Sequence, residues 1–404
     1  MRKSRFAAVL SLAITLLTAP CDSADQTIPA AVKIRGNLDH SRQVFTSTGQ
    51  GNVVFLGGSI TEMDGYRPMV MQSLQKRFPD TQFHFSNAGI ASTCSHTGAF
   101  RMPRDVISQH PDLLFVEFAV NDDQDAGHSR ADAVRGMEGI IRAAKKANPE
   151  LDIVMTHFVN PSLLATTGKG ETPTSIGAHE KAAQHYQIST CNVAIELNQQ
   201  INAGKTSWKI YGGVHPKPAG NRIAADLIEQ VFNANQFSQA QQSSPSPQSQ
   251  ASPVIDLPAP IDASSFFRGR FLDNQAVQLG SGWSRVEPDW SNIPGSKRPR
   301  YTGRPLTVSE TPGSELEVQF SGTAFGLFVV AGPDAGAVEF SMDGGDWQTV
   351  DLYHRYSKGL HYPRTVVLES GMEDTPHDVK LRVAPKSNPQ SSGSAIRILE
   401  FVAS

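Results

Sequence analysis

Cysteine is scarce in this chain: Cys21, Cys94 and Cys191 are the only three among 404 residues. That is too few for a disulfide scaffold, and no close Cys/Cys or Cys/His spacing marks a zinc site. With Cys21 set aside in the N-terminal region, Cys94 and Cys191 can form one bond or remain two buried thiols. An excess of charge is lacking too. Thirty-six Lys and Arg against 39 Asp and Glu leave a net −3, no field to draw nucleic acid or an anionic membrane. Beyond the first nineteen residues no apolar run is long enough to cross a bilayer, so no integral membrane span is expected. The beginning is different. Arg2, Lys3 and Arg5 precede an apolar run from Phe6 to Leu17 and then small residues, the pattern of a secretory signal, assigned to residues 1–24. A secreted or periplasmic protein is the expectation. Leu17-Thr18-Ala19-Pro20-Cys21 approximates a lipoprotein box, but Pro20 stands where Gly or Ala belongs, which argues against lipid on Cys21.

A second deficit divides the chain. Between Phe237 and Pro253 the residues are Ser, Gln, Ala and Pro, with almost nothing apolar to bury, so the stretch cannot offset its own ordering entropy. It is assigned as a linker over 237–260. Before it, short apolar runs at Val53–Leu56, Gln82–Phe85, Leu113–Phe118 and Ile153–Phe158 alternate with helical patterns at Tyr66–Phe78, Ala131–Ala147 and Ala219–Phe232. Strand and helix in alternation predict a parallel sheet covered on both faces, an α/β domain over 45–236. After the linker come short alternating runs with no helical period: Leu316–Phe320, Phe325–Val330, Ala337–Met342, Thr365–Leu368, Val379–Val383 and Ile396–Val402. Asp343-Gly344-Gly345 is a hairpin signal, so 261–404 is read as an all-β sandwich. Its Trp283, Trp290, Trp347, Tyr353, Tyr356, His361 and Tyr362 fall around expected loops, where they can stack on sugar faces or fill the core and rim.

Four blocks fall at expected strand ends and before the last helix: Gly57-Gly58-Ser59-Ile60-Thr61, Asn87-Ala88-Gly89, Val120-Asn121-Asp122 and Gly212-Gly213-Val214-His215-Pro216. A serine hydroxyl needs a base to take its proton, and the oxyanion it creates needs donors already aimed at it. Ser59 and His215 meet the first need. The Gly89 amide and the Asn121 side chain meet the second, so the blocks point to acyl transfer. Ser92, Thr93 and His96, in the polar loop after Gly89, are further candidates for substrate contact. Ala178-His179-Glu180 begins a His-Glu-x-x-His pattern, but Ala183 breaks it, and neither metal nor cofactor is expected.

Ser, Gly, Asn and His in this order resemble the SGNH (GDSL-like) hydrolases, esterases and lipases on a three-layer α/β/α fold, over roughly residues 50–235. The resemblance implies Ser59 as nucleophile, His215 as base, and the Ser59 amide with Gly89 and Asn121 as oxyanion hole. That family usually carries an Asp three residues before the His; here the position is Gly212. A main-chain carbonyl near Gly212, or the carboxylates of Asp122, Asp123 or Glu117, are the candidates to orient the ring. The β region resembles the jelly-roll modules of some carbohydrate esterases. An exported hydrolase removing acetyl or other short acyl groups from carbohydrate is the leading expectation, with an acylated carbohydrate or other small ester as its partner. A lipase or lysophospholipase is the alternative within enzymes, and a non-catalytic carbohydrate-binding protein with a decayed site is the alternative outside them.

Overall fold

The computed structural model describes residues 30–239 and 257–404. The signal expected over 1–24, with Cys21, and residues 240–256 of the expected linker lie outside the described residues.

Strands β1 (Val32–Lys33), β2 (Gln50–Gly57), β3 (Gln82–Gly89), β4 (Leu113–Glu117), β5 (Asp152–His157) and β6 (Ser189–Asn192) form one sheet in the order β1-β6-β5-β4-β2-β3. All neighbours are parallel except β1, which runs antiparallel to β6. The central strands β2, β4 and β5 are buried on both faces because both are covered. Val53, Phe55, Leu113, Phe115 and Val154 enter one core with Val70 and Leu74 of the Tyr66–Arg77 helix and Leu227 and Val231 of Pro218–Ala234. The alternate residues Val54, Leu56, Leu114, Val116, Ile153 and Met155 enter a second core with Met137, Ile140 and Ile141 of Arg130–Ala147. This is the three-layer arrangement that the alternation predicts.

The C-terminal sheet is antiparallel and built on one long strand pair, Glu315–Ala331 with Tyr362–Val383. Two pairs of short runs expected from the sequence are therefore halves of continuous strands. Register shifts at Gly322/Ala324 and Phe325/Gly326 interrupt the regular ladder without ending the pair. One half pairs with Val277–Leu279 and Ala337–Met342, the other with Ile396–Ala403. The sheet so folds over a core that includes Leu316, Val318, Leu327, Val379, Leu381 and Ile398. Asp343 and Gly344, both at positive φ, make the expected hairpin turn.

In the first half of Glu315–Ala331 only alternate residues are buried, whereas the second half is buried on both faces. The reason lies outside the sandwich. Ala324, Phe328 and Val330, with Tyr301, Leu399 and Val402, share one hydrophobic cluster with Val54, Leu56, Phe100 and Met137 of the α/β layer. Phe266 stacks on Phe100 at 5.0 Å and meets the edge of His96 at 4.9 Å. Glu138 accepts the Ile261 and Asp262 amides, and Arg135 pairs with Asp262 at 2.9 Å. Cys94 and Cys191 are buried and unpaired.

Candidate active site

Ser59 is the first residue of a short helix, Ser59–Glu62, that leaves β2 through Gly57 and Gly58. The turn has no room for side chains. A Cβ on Gly57 would lie 2.3 Å from Glu117 Oε1 and Thr61 Oγ1, and one on Gly58 would lie 2.2 Å from Asn121 Oδ1. Glu117 Oε1, beneath the turn, accepts the Gly58 amide at 2.9 Å and the Thr61 hydroxyl at 2.8 Å. The fully buried Arg101 donates to the Gly57 carbonyl at 3.1 Å and pairs with Asp105. The serine is thereby held on a fixed backbone.

His215 sits in the loop between Tyr211 and the Pro218–Ala234 helix. Gly212 and Gly213, at φ 113° and 96°, turn the chain, and the Lys217 amide closes it on Tyr211 O at 2.9 Å. The Asn221 amide group donates to Pro216 O at 2.7 Å. The ring so placed brings Nε2 to 2.8 Å from Ser59 Oγ. Two residues 156 apart meet as the sequence reading requires.

The other ring nitrogen is not met. Among the described residues, His215 has no hydrogen bond beyond Ser59 and no carboxylate within about 4 Å. Asp122 accepts the amide and hydroxyl of Ser95 and Nε2 of His179 at 2.7–2.8 Å. Asp123 accepts from Asn160 at 2.9 Å, and Glu117 is committed beneath the turn. The Gly212 carbonyl makes no bond to the ring either. None of the four candidate orienters is in place, because the turn, the buried histidines and the Asn160 cap each claim a carboxylate for themselves.

Of the expected oxyanion donors, the Gly89 amide donates within β3, to Asn87 Oδ1 at 2.9 Å, and Gly89 lines a neighbouring cavity rather than the one holding Ser59. Glycine is required there because a Cβ would lie 2.3 Å from Glu62 N. Three residues on, Ser92 lines the Ser59 cavity, adopts φ 68°, and has an amide with no hydrogen-bond partner among the described residues. A non-glycine residue held in the left-handed region is uncommon and is found at functional sites. Asn121 opens a single π-helical turn after β4, a wide turn frequent at functional sites. One hydrogen of its side-chain amide goes to Asp125 Oδ2 at 2.6 Å, leaving the second free. As the first helical residue, Ser59 has an amide with no acceptor inside its helix.

The cavity over these groups is about 890 Å³ and takes one wall from each layer of the molecule. Ser59, Ile90, Ser92, Asn121 and His215 come from the α/β side; Arg298, Arg300, Tyr301, Tyr356, Leu360 and Tyr362 come from the β side. Tyr356 and Tyr362 were marked by the aromatic loop pattern. The arginines were not, although Lys297-Arg298-Pro299-Arg300 is a basic run that could have drawn notice. Trp283 and Tyr353 instead fill the sandwich core, and Trp347 carries Arg382 over its ring at 3.9 Å. Thr93 and His96 are buried and bonded to Ile90 O and Asp132 O, away from the cavity.

Asp122 centres a second polar cluster. Burial alone would raise its carboxyl, but His128 and His179 overcome this and hold it well below the usual carboxylate range. Among the described residues one group has metal-ligand types together: Cys94 Sγ, an Asp122 oxygen and a His128 ring nitrogen, within 4.8 Å of one another. Asp122 already accepts three hydrogen bonds and Arg364 lines the adjoining cavity, so the group is a buried hydrogen-bonding hub.

Residues 55–223 match the model of the GDSL-like lipase/acylhydrolase family. Two crystal structures of a two-domain esterase active on acetylated mannans, one co-crystallised with mannopentaose, superpose with TM-scores of 0.70 and 0.66. Each covers 92% of this chain and 96% of the other, at 19% identity, so the likeness is one of fold across both domains. No curated protein sequence matches the chain.

Proposed function

We infer that this ester hydrolase, whose α/β domain belongs to the GDSL-like lipase/acylhydrolase family, removes acetyl or similarly short acyl groups from carbohydrate through a Ser59–His215 dyad. The observation that carries the reading is the 2.8 Å contact of His215 Nε2 with Ser59 Oγ at the floor of a cavity walled by tyrosines and arginines. Ser59 Oγ attacks the ester carbonyl carbon while His215 takes its proton. The oxyanion is received by the amides of Ser59 and Ser92 and the side-chain amide of Asn121. Collapse breaks the bond to the sugar oxygen, which leaves with the proton from His215. Water then repeats the sequence on the acyl-serine, releasing the acid. Without a charged partner, the ring is oriented by its loop and by Ser59 alone, a dyad rather than a triad.

Carbohydrate is favoured over a lipid chain because the β-side wall carries Tyr356, Tyr362, Arg298 and Arg300 around a wide mouth, groups that stack on and bond to sugar rings. The fold shared with an esterase active on acetylated mannans supports this choice. Export to the periplasm or the medium belongs to the same reading, on the N-terminal pattern. Turnover of p-nitrophenyl acetate against longer acyl esters, and of acetylated oligosaccharides, tests it. Ser59→Ala and His215→Ala should each remove nearly all activity and be far from additive in combination. Retention of more than about a tenth of wild-type kcat by Ser59→Ala would overturn the nucleophile assignment, and a preference for long acyl chains would overturn the carbohydrate reading.

A further inference from the structure

We propose that the β-sandwich is part of the catalytic machinery because it holds the two loops that carry the oxyanion donors, with Arg298, Tyr362, His354 and Arg355 as positioning residues. The inference rests on the reading of Ser59, Ser92 and Asn121 given above. Its observations are the bonds these side chains make to the two loops; Arg298 and Tyr362 also line the cavity.

The Ser92 loop accepts three hydrogen bonds from two side chains of the β domain. Arg298 donates to the Ala91 carbonyl at 2.5 Å and to Ser92 Oγ at 2.7 Å, and the Tyr362 hydroxyl donates to Ser92 O at 3.2 Å. Ser92 at φ 68° is a conformation that persists only where its surroundings over-determine it. The β domain supplies those surroundings. On the α/β side, among the described residues, the same loop is tied through the Ala91 amide to Glu62, at 3.2 Å, and through the bonds of Ile90 and Thr93.

The Asn121–Asp125 turn is gripped in the same way. His354 Nε2 donates to Asp125 O at 2.9 Å, and Arg355 donates to Gln124 O. These are carbonyls at the end of a wide turn, where intrahelical donors run out. His354 is itself fixed. Its Nδ1 accepts the Tyr356 amide, which makes Nε2 the protonated nitrogen, and its ring stacks on Tyr362 at 4.4 Å and 13°. One stacked pair, His354 and Tyr362, thus reaches both donor loops at once. An oxyanion hole works only if its donors are already in place, and a shift of about 1 Å can cost on the order of 10² in rate. Loops that bond across a domain boundary take their positions from the far domain.

The test is steady-state kinetics of full-length variants on p-nitrophenyl acetate, an ester too small to need a sugar-binding wall. Tyr362→Phe, His354→Ala and Arg355→Ala should each lower kcat by about tenfold to a hundredfold with KM changed less than about threefold. His354→Gln, whose side-chain amide can donate to the same carbonyl, should recover most of the loss, as Arg355→Lys should for its partner. Affinity for a boronic-acid transition-state analogue should fall in parallel with kcat. If His354 acts through Asn121, the loss from His354→Ala should largely vanish in an Asn121→Ala background. Wild-type kcat in all three single variants, or losses that multiply with Asn121→Ala, would overturn the proposal. A raised KM with kcat preserved would make these residues part of the wall instead, which also overturns it. An inactive Ser59→Ala beside normal Tyr362→Phe, His354→Ala and Arg355→Ala sinks only this inference, while an active Ser59→Ala sinks the esterase reading beneath it.

Discussion

At the scale of single residues, Gly212 shows how a missing side chain can be structural. Gly212, where the family resemblance leads one to expect Asp, adopts φ 113°, and a Cβ on it would lie 2.3 Å from Lys217 N. That nitrogen is bonded to Tyr211 O and closes the loop that aims His215. A carboxylate cannot be restored without rebuilding the loop. Gly212→Asp should therefore destabilise the protein by at least about 2 kcal/mol and lower kcat, measured as melting temperature and p-nitrophenyl acetate turnover. A gain in activity at unchanged stability would show that the loop tolerates an acid and that the dyad is a deficit. Ser92 is the complementary case: the sequence marks it for its side chain, whereas the role proposed above rests on its backbone at φ 68°.

Among the elements, the turn from β2 into the Ser59 helix depends on a carboxyl of β4. Burial, the largest cause, pushes Glu117 up to about 7, against the hydrogen bonds from Thr61 and Gly58 that favour its charged form. Its Oε2 is buried with no partner. A carboxyl whose folded pKa exceeds its unfolded one binds its proton more tightly when folded, so stability falls as pH rises from about 4.5 toward 7. Glu117→Gln removes that titration. Compared with the variant, the wild type should lose on the order of 3 kcal/mol over this window, read from denaturation midpoints at a series of pH values. Parallel curves for the two proteins would place the proton elsewhere.

For the whole molecule, the shared hydrophobic cluster makes the domain boundary a covalent one more than a physical one. Phe266, Tyr301, Phe328, Val330, Leu399 and Val402 cover the face of the α/β layer that holds Phe100 and Met137. A chain ending at Gln239 would expose that face as a large apolar patch. It should precipitate, or melt more than about 10 °C below the full-length protein, and turn over even p-nitrophenyl acetate poorly. A soluble truncated protein with wild-type melting and kcat would show that the α/β domain is complete alone.

Local signals in the sequence were enough for the parallel sheet and the β region, and they single out Ser59 and His215, which the fold brings to 2.8 Å of one another. Strand and helix periods, the Gly57-Gly58 turn and the Val-His-Pro block are each written within a few consecutive residues, where propensity and sterics act. What lay beyond reach was every role that depends on a partner far along the chain. Gly89 and Ser92 are three residues apart, and bonds to Asn87, Arg298 and Tyr362 set them apart: the Gly89 amide is taken, while Ser92 lines the Ser59 cavity. Glu117, Asp122 and Asp123 were equal candidates on paper until Thr61, His179 and Asn160 claimed them. The unbroken apolar run Ala324–Ala331 is consistent with burial on both faces, but that the second face meets Phe100 and Met137 of the other domain is a matter of tertiary structure.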